Sequence, residues 1–371
     1  MKGDSEMPHV EQPKLIFSQM IDPRRIELYW DQEVEGAADP DNFRVALDAS
    51  PVDLMNDEDV EWNLLNVYEP IKKRTTLITR HPLDHRALGR LTVHTGSAIR
   101  NRHGQQADPD RTYVVNNWKD YYTQFTNCRC GIAIKSSDDV SHYTRLLAAS
   151  LIDTMLSKAP DIARAMVAQG AEVAIYGFHE DVYDIPEHRG GAQIMDRPVE
   201  GYGGMVEDPV TSISAKNIQR ITEGIDQTRY LNESILAHEF GHAIHLLGIN
   251  QLEDRSLAHE LEEAYRHASR TGLWPCTYLM GNIEEYFATL TSMWFNVMAE
   301  SATDTWDGVR GPLNTRSELR EYDPQAYALL DRIYPAVNLP YPWNTNPVNH
   351  DYSGHMDQVP KPPAQSPDPS L

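Results

Sequence analysis

The chain has 371 residues, 40% hydrophobic and 24% charged, an ordinary balance for a globular protein and length enough for two or three domains. Its 55 acidic against 33 basic residues give a net charge of −22, which argues against nucleic acid or an anionic membrane as a partner, because phosphate binding needs clustered Lys and Arg. No apolar run approaches the length of a membrane-spanning helix, and Met1–Glu6 lacks the apolar core of a signal peptide, so a cytoplasmic location is expected, with secretion by another route left open.

Residues 1–12 are polar and read as a flexible N-terminus. From 13 to 117 the pattern is strand-like. Arg25–Trp30 and Phe43–Leu47 alternate in polarity, Arg74–Thr79 and Arg90–His94 follow, and turn clusters such as Ala38–Asn42 separate them. Several short strands with no helix between them predict an all-β sandwich. With its scattered glycines (Gly36, Gly89, Gly104) it resembles the Ig-like modules that precede catalytic domains in some bacterial proteins. Such a module positions substrate, binds a partner or simply stabilises the chain.

Beyond Trp118 the signals become mixed α/β. Gly131–Ile134 reads as a strand. Ser141–Lys158 reads as a helix with Leu147, Leu151 and Met155 at helical spacing, and Pro160–Gln169 as a second, with Pro160 in the tolerated first turn. Cys128 and Cys130 are one residue apart; a bridge across that gap is strained, and the pair without further cysteines nearby is a poor zinc site. With Cys276 the count is low and odd, so reduced, structural thiols are expected. Ala171–Tyr176 is the next strand, then come Asp184–Glu187 and the glycine stretch Gly201–Met205. Three helices are expected near 231–248, 256–270 and 283–299, the middle one with a solvated charged face.

The first of these three carries the chemistry. His238-Glu239-Phe240-Gly241-His242 is the H-E-x-x-H arrangement of zinc hydrolases. Two histidines four apart on a helix project from one face, so their imidazoles can converge on one ion. Zinc hydrolysis needs three protein ligands, an open position for water and a carboxylate that moves the proton. His238 and His242 supply two ligands and Glu239 the base. The bland alternative, two core histidines and an incidental glutamate, leaves polar groups buried without partners at a substantial cost. A metzincin would carry Gly and then His at positions occupied here by His245 and Gly248, so that pattern is not met. His245 lies two helical turns from His238 and reads as a residue that supports the ligands or belongs to the core.

The third ligand is expected from the next apolar helix, which opens Asn282-Ile283-Glu284-Glu285. Glu285 is preferred over Glu284. Ala288 follows it by three residues, small enough for two helices to approach, whereas Glu284 reads as ordinary acidity at a helix N-terminus.

Together, His238–Ile244, Tyr278 and Glu285–Ala288 resemble the catalytic domain of anthrax lethal factor and the related Pro-Pro endopeptidases. Asp184–Glu187 and Gly201–Met205 are similar to upstream segments of that family, and the likeness covers roughly 119–335. The resemblance implies a gluzincin, with His238, His242 and Glu285 on zinc, Glu239 as base and Tyr278, seven residues before Glu285, as donor to the oxyanion. It also implies an edge strand at Gly203 and Gly204 that pairs with substrate, a role suited to a flexible glycine stretch. Two positions depart from lethal factor: His245 stands for an aspartate and Thr289 for a glutamate.

From Pro335 onward proline is dense, and 336–371 reads as a proline-rich C-terminal tail in which His350 and His355 are not ligands. The expected chain is therefore multidomain: an Ig-like β-sandwich at 13–117 and an α/β (α+β) zincin-type metallopeptidase domain at 118–335. Its expected activity is zinc-dependent hydrolysis of a peptide or protein substrate. Two other readings stay open: a zinc enzyme acting on a non-peptide amide or small metabolite, and a binding protein that keeps a relic site. Sequence leaves the oligomeric state undetermined.

Overall fold

A computed structural model describes residues 11–56, 65–193, 199–301 and 305–345. Residues 1–10 of the expected N-terminal arm and 346–371 of the expected tail, including His350 and His355, lie outside the described residues. The chain is mixed α+β and divides into two units, Met1–Tyr121 with Tyr183–Pro198, and Tyr122–Val182 with Val199–Leu371. Among the described residues no helix is long and apolar enough to cross a membrane.

The first unit contains β1 (Leu15–Asp22), β2 (Arg25–Trp30), β3 (Val34–Glu35), β4 (Phe43–Leu47), β5 (Ser50–Pro51), β6 (Val67–Glu69), β7 (Arg74–Ile78), β8 (Leu91–Thr95), β9 (Arg100–Asn101), β10 (Thr112–Val114) and β11 (Asn117–Trp118). One sheet runs β11-β1-β2-β7-β6, another β10-β8-β4-β5, and β3 pairs with β9. Period-two alternation sends Ile26, Leu28 and Trp30 of the first sheet and Phe43, Val45, Leu91 and Val93 of the second into one buried cluster.

Alternation would put Glu27 in water, yet it is 1% exposed. The segment from Tyr183, expected from sequence to belong with the following unit, supplies the reason. Arg189 pairs with Glu27, and Arg74 of β7 reaches Glu27 at 3.3 Å, Asp184 at 3.1 Å and, through Nε, Glu69 at 2.6 Å. Lys72 meets Asp184 at 2.7 Å. Buried charges persist when they are paired this densely, and here the pairing ties 183–193 to the sheet.

The second unit contains β12 (Gln124–Asn127), β13 (Ala133–Ser136), β14 (Glu172–Tyr176), β15 (Gly201–Tyr202) and β16 (Val210–Ser214) in the order β12-β13-β14-β16-β15. The three central strands are parallel, with Ile134 opposite Val173 and Ile175 opposite Ile213, and β12 and β15 are antiparallel edges. β13 begins two residues later than expected because Gly131 (φ +96°) turns the chain. β16, with three hydroxyl residues in five, has neither an apolar run nor alternation to announce it, though every residue in it is buried.

The helices are α1 (His142–Leu156), α2 (Pro160–Ala168), α3 (Ala215–Ile218), α4 (Ile235–Ala243), α5 (Ser256–Thr271), α6 (Ile283–Trp294), α7 (Arg316–Tyr322) and α8 (Pro324–Ile333). α4 starts at 235 rather than 231 because the Ser234 side chain caps it, and it widens into a π turn over Ile244–Gly248. α6 stops at 294, short of the expected 299. Asn296 adopts φ 56°, and Asn296 N and Val297 N donate to Met293 O at 3.0 Å and Ser292 O at 2.9 Å, a Schellman stop. α7 and α8 were not expected; their signals are the Thr315/Glu318 capping box and Pro324 after the Asp323 cap. Phe240, Leu247, Phe287, Met293, Trp294 and Tyr334 anchor the buried cluster of this unit.

Candidate metal centre

α4 presents the H-E-x-x-H residues, and its start is held by a buried amide. Asn217 on α3 accepts from Ile235 N at 2.9 Å and donates to Glu233 O at 3.0 Å and Thr228 Oγ1 at 3.3 Å. Ser234 Oγ accepts from Ala237 N at 3.3 Å. Backbone groups at a helix start have no partner within the helix, so these side chains set where the first turn lies.

One turn apart, His238 and His242 bring their Nε2 atoms to 3.3 Å. α6 delivers the third group. Asn282 caps that helix by accepting from Glu285 N at 2.7 Å, which fixes Glu285 in the first turn. Glu285 Oε2 then lies 3.2 Å from His238 Nε2 and 3.7 Å from His242 Nε2. This oxygen is buried, and among the described residues no hydrogen-bond donor is aligned with it. Glu284, by contrast, is exposed. The helices can approach because Gly241 faces α6: a Cβ there would stand 3.0 Å from Ala288 Cα and 3.3 Å from Thr291 Cβ.

Three donor atoms thus form a triangle with edges of 3.2, 3.3 and 3.7 Å. Nitrogen and oxygen ligands held at about 2.0–2.2 Å in a tetrahedron stand about 3.3–3.6 Å apart, so the residues present fit a metal ion. Ligand atoms of His238, Glu239 and His242 also cluster within 4.8 Å of one another.

The electrostatics follow from burial and neighbours. Burial pushes Glu239 up to about 7, further helped by Glu285 and Glu233, against the lowering influence of His238 and of a hydrogen bond from Gly203 N–H. Burial pulls His242 down to about 4, with His238 acting in the same direction. Burial also lowers His238, but the Glu285 carboxylate 3.2 Å away and the charges of Glu239 and Glu233 outweigh it and leave it raised. Glu285 is raised by burial, and His238, His242 and Tyr278 together bring it below the ordinary carboxyl range.

Tyr278 opens a short 3-10 turn, Tyr278–Gly281, and its hydroxyl donates to Glu285 Oε1 at 2.9 Å. The ring is 55% exposed. Burial of the hydroxyl, then the adjacent Glu285 carboxylate, pushes its pKa up to about 12. Its backbone N–H donates to Val309 O at 3.0 Å.

Gly201 and Gly203 lie against α4. A Cβ on Gly203 would stand 2.5 Å from His242 Cβ, and one on Gly201 2.9 Å from Glu239 Cγ. Only glycine lets the edge strand lie this close to α4. Gly204 turns inward, its N–H donating to Thr211 Oγ1 at 3.2 Å. His245 is buried in the π turn with its ring 5.7 Å from Phe287, and burial pulls it down to about 4.

Sequence reading missed Asn217, Gly241 and Glu233, whose carboxylate pairs with Arg310 Nε at 3.0 Å. A glycine inside a helix is a visible signal for Gly241. Nothing in the local sequence marks the other two.

No family model and no curated protein matches the sequence. Among solved structures, the Pro-Pro endopeptidase (PPEP-2) from Paenibacillus alvei aligns over 52% of this chain and 91% of its own, at 14% identity and a TM-score of 0.30. The S-layer protein rSbsC(31-844) aligns over 32% of this chain and only 15% of its own, at 18% identity and a TM-score of 0.25. The N-terminal part of the bacterial S-layer protein SbsC aligns over 32% and 27%, at 16% identity and 0.23. At these scores the functional reading rests on the residues alone.

Proposed function

We propose that the chain is a zinc-dependent peptidase of the gluzincin type, its second unit a zincin-type catalytic domain. The observation that carries this reading is the triangle of His238 Nε2, His242 Nε2 and Glu285 Oε2, with edges of 3.2–3.7 Å. These three residues would hold the ion. When bound, zinc supplies a Lewis acid and lowers the pKa of water towards neutrality. Glu239, the residue next to His238 on α4, accepts the proton of the attacking water and passes it to the leaving amine nitrogen. Tyr278 stays protonated at neutral pH and, exposed at the site's edge, donates to the oxyanion that develops on the carbonyl.

A peptide is favoured over a small metabolite by β15. It ends its sheet; its Gly201 lies directly against Glu239, and Gly203, just beyond it, against His242. An extended peptide added to that edge runs beside the site. The relic reading is disfavoured by the completeness of the set: three ligand groups, a base and a donor. In the same reading residues 13–117 form an immunoglobulin-like module and 336–371 a proline-rich tail, whose Leu339 and Trp343 are buried in the core of the second unit.

Peptide-library cleavage read by mass spectrometry tests the proposal. The zinc-loaded chain should cleave, the chelated chain should not, and Glu239→Ala should retain zinc while losing turnover. Native-rate cleavage by Glu239→Ala would refute the mechanism. Zinc binding with no peptide cleaved would move the reading to a non-peptide amide.

A further inference from the structure

Outside the proposed centre, a second cluster of metal-binding groups sits on the opposite edge of the same sheet. β12 and β13 are joined by a turn, Cys128–Ile132, closed by Cys128 N donating to Ile132 O at 2.9 Å and Gly131 N to Cys128 O at 3.1 Å. The turn places two thiols near its tip. Both are free, Cys128 buried and Cys130 half-buried. α1 contributes Asp153, whose carboxylate accepts from Cys130 N at 3.0 Å and Arg129 N at 3.1 Å. Those bonds aim the carboxylate at the tip. Cys128 Sγ, Cys130 Sγ and a carboxylate oxygen of Asp153 all lie within 4.8 Å of one another.

We propose that Cys128, Cys130 and Asp153 form a second cation site that takes one thiophilic divalent ion of the zinc class. Spacing alone made the cysteine pair a poor site; Asp153, distant in sequence, is the third ligand that the fold supplies. Two thiolates and a carboxylate suit zinc and softer ions. Sulfur and oxygen ligands around such an ion stand about 3.5–3.8 Å apart, so groups already within 4.8 Å of one another would draw together on it. The half-buried Cys130 leaves a route of entry. Occupied, the site ties the edge hairpin to α1 and plays no part in hydrolysis. The proposal is independent of the function assigned to the His238 centre.

The test uses the full chain, reduced and stripped of metal by chelator. Titration with Cd2+ should raise a thiolate-to-metal charge-transfer band in the ultraviolet that saturates, is displaced by Zn2+ and, in His238→Ala/His242→Ala, where the first centre is gone, saturates at one equivalent. The band should persist in His238→Ala/His242→Ala and in Cys276→Ser, disappear in Cys130→Ser, and need at least tenfold more Cd2+ in Asp153→Asn. No band in the wild-type chain, or an unchanged band in Cys130→Ser, overturns the site. Asp153→Asn binding as tightly as wild type removes the carboxylate and overturns the three-ligand assignment. A measurement free of substitutions is alkylation of the wild-type thiols read by mass spectrometry. Saturating Zn2+ should slow labelling of the half-buried Cys130 relative to the metal-free chain and leave labelling of the exposed Cys276 unchanged, and an unchanged rate at Cys130 refutes the proposal.

Discussion

Gly241 and Ala288 meet where α4 crosses α6, so closely that a Cβ on Gly241 would stand 3.0 Å from Ala288 Cα. The same crossing brings Glu285 Oε2 to 3.2 Å from His238 Nε2. Helix packing and ligand geometry are therefore one property of the chain. Gly241→Val should force the helices apart. A loss of about 1–3 kcal/mol in stability is expected, read by thermal unfolding. Zinc affinity, read by competition with a chromogenic chelator, should fall at least tenfold, or about 1.4 kcal/mol. Unchanged affinity would mean that the ligand set tolerates a wider crossing.

Tyr278 is proposed to act on the oxyanion, so Tyr278→Phe should lower kcat by about 10²–10³-fold with little change in KM. Zinc content should stay at the wild-type level, because the residue lost is not a ligand. A rise in KM at constant kcat would reassign Tyr278 to ground-state binding.

Glu239 makes the metal-free protein sensitive to pH. Its folded pKa, about 7, lies above the ordinary value of 4.5. Ionising it therefore costs folding free energy. That cost is absent below the unfolded value, grows through the interval and is complete above about 7. Glu239→Gln should remove it. Urea unfolding of the two metal-free chains should show a difference near zero at about pH 4.5 and a gain for the variant on the order of 1–3 kcal/mol at about pH 8, towards the lower end because Glu239 keeps some exposure. A difference that does not change with pH would contradict the burial assigned to this carboxyl.

In the first unit, Arg74 stands among Glu27, Glu69 and Asp184. Arg74→Met leaves those buried carboxylates short of their shared cation, and a loss of about 3–5 kcal/mol is expected in denaturant unfolding. Limited proteolysis should then cut within 183–193, the segment that Asp184 helps hold. Wild-type stability and protection would show that Arg189 and Lys72 suffice.

The chain order of residues determined much of this. Periodicity located β2, β4 and β14 and nearly bounded α1, α2 and α5, because each is long or alternating enough to carry its own signal. The spacing of His238, Glu239 and His242 needs only a helix to place three groups together. Other features were decided by partners distant in sequence. β16 is a central strand because β14 and β15 pair with it, and Glu27 is buried because Arg189 covers it. Glu285 rather than Glu284 faces the histidines because the Asn282 cap and the Gly241–Ala288 contact set the rotation and depth of α6. Asp153 meets two cysteines because α1 passes the tip of a hairpin. Local sequence determines what each helix face carries; which faces touch depends on packing between segments that the chain separates by tens of residues.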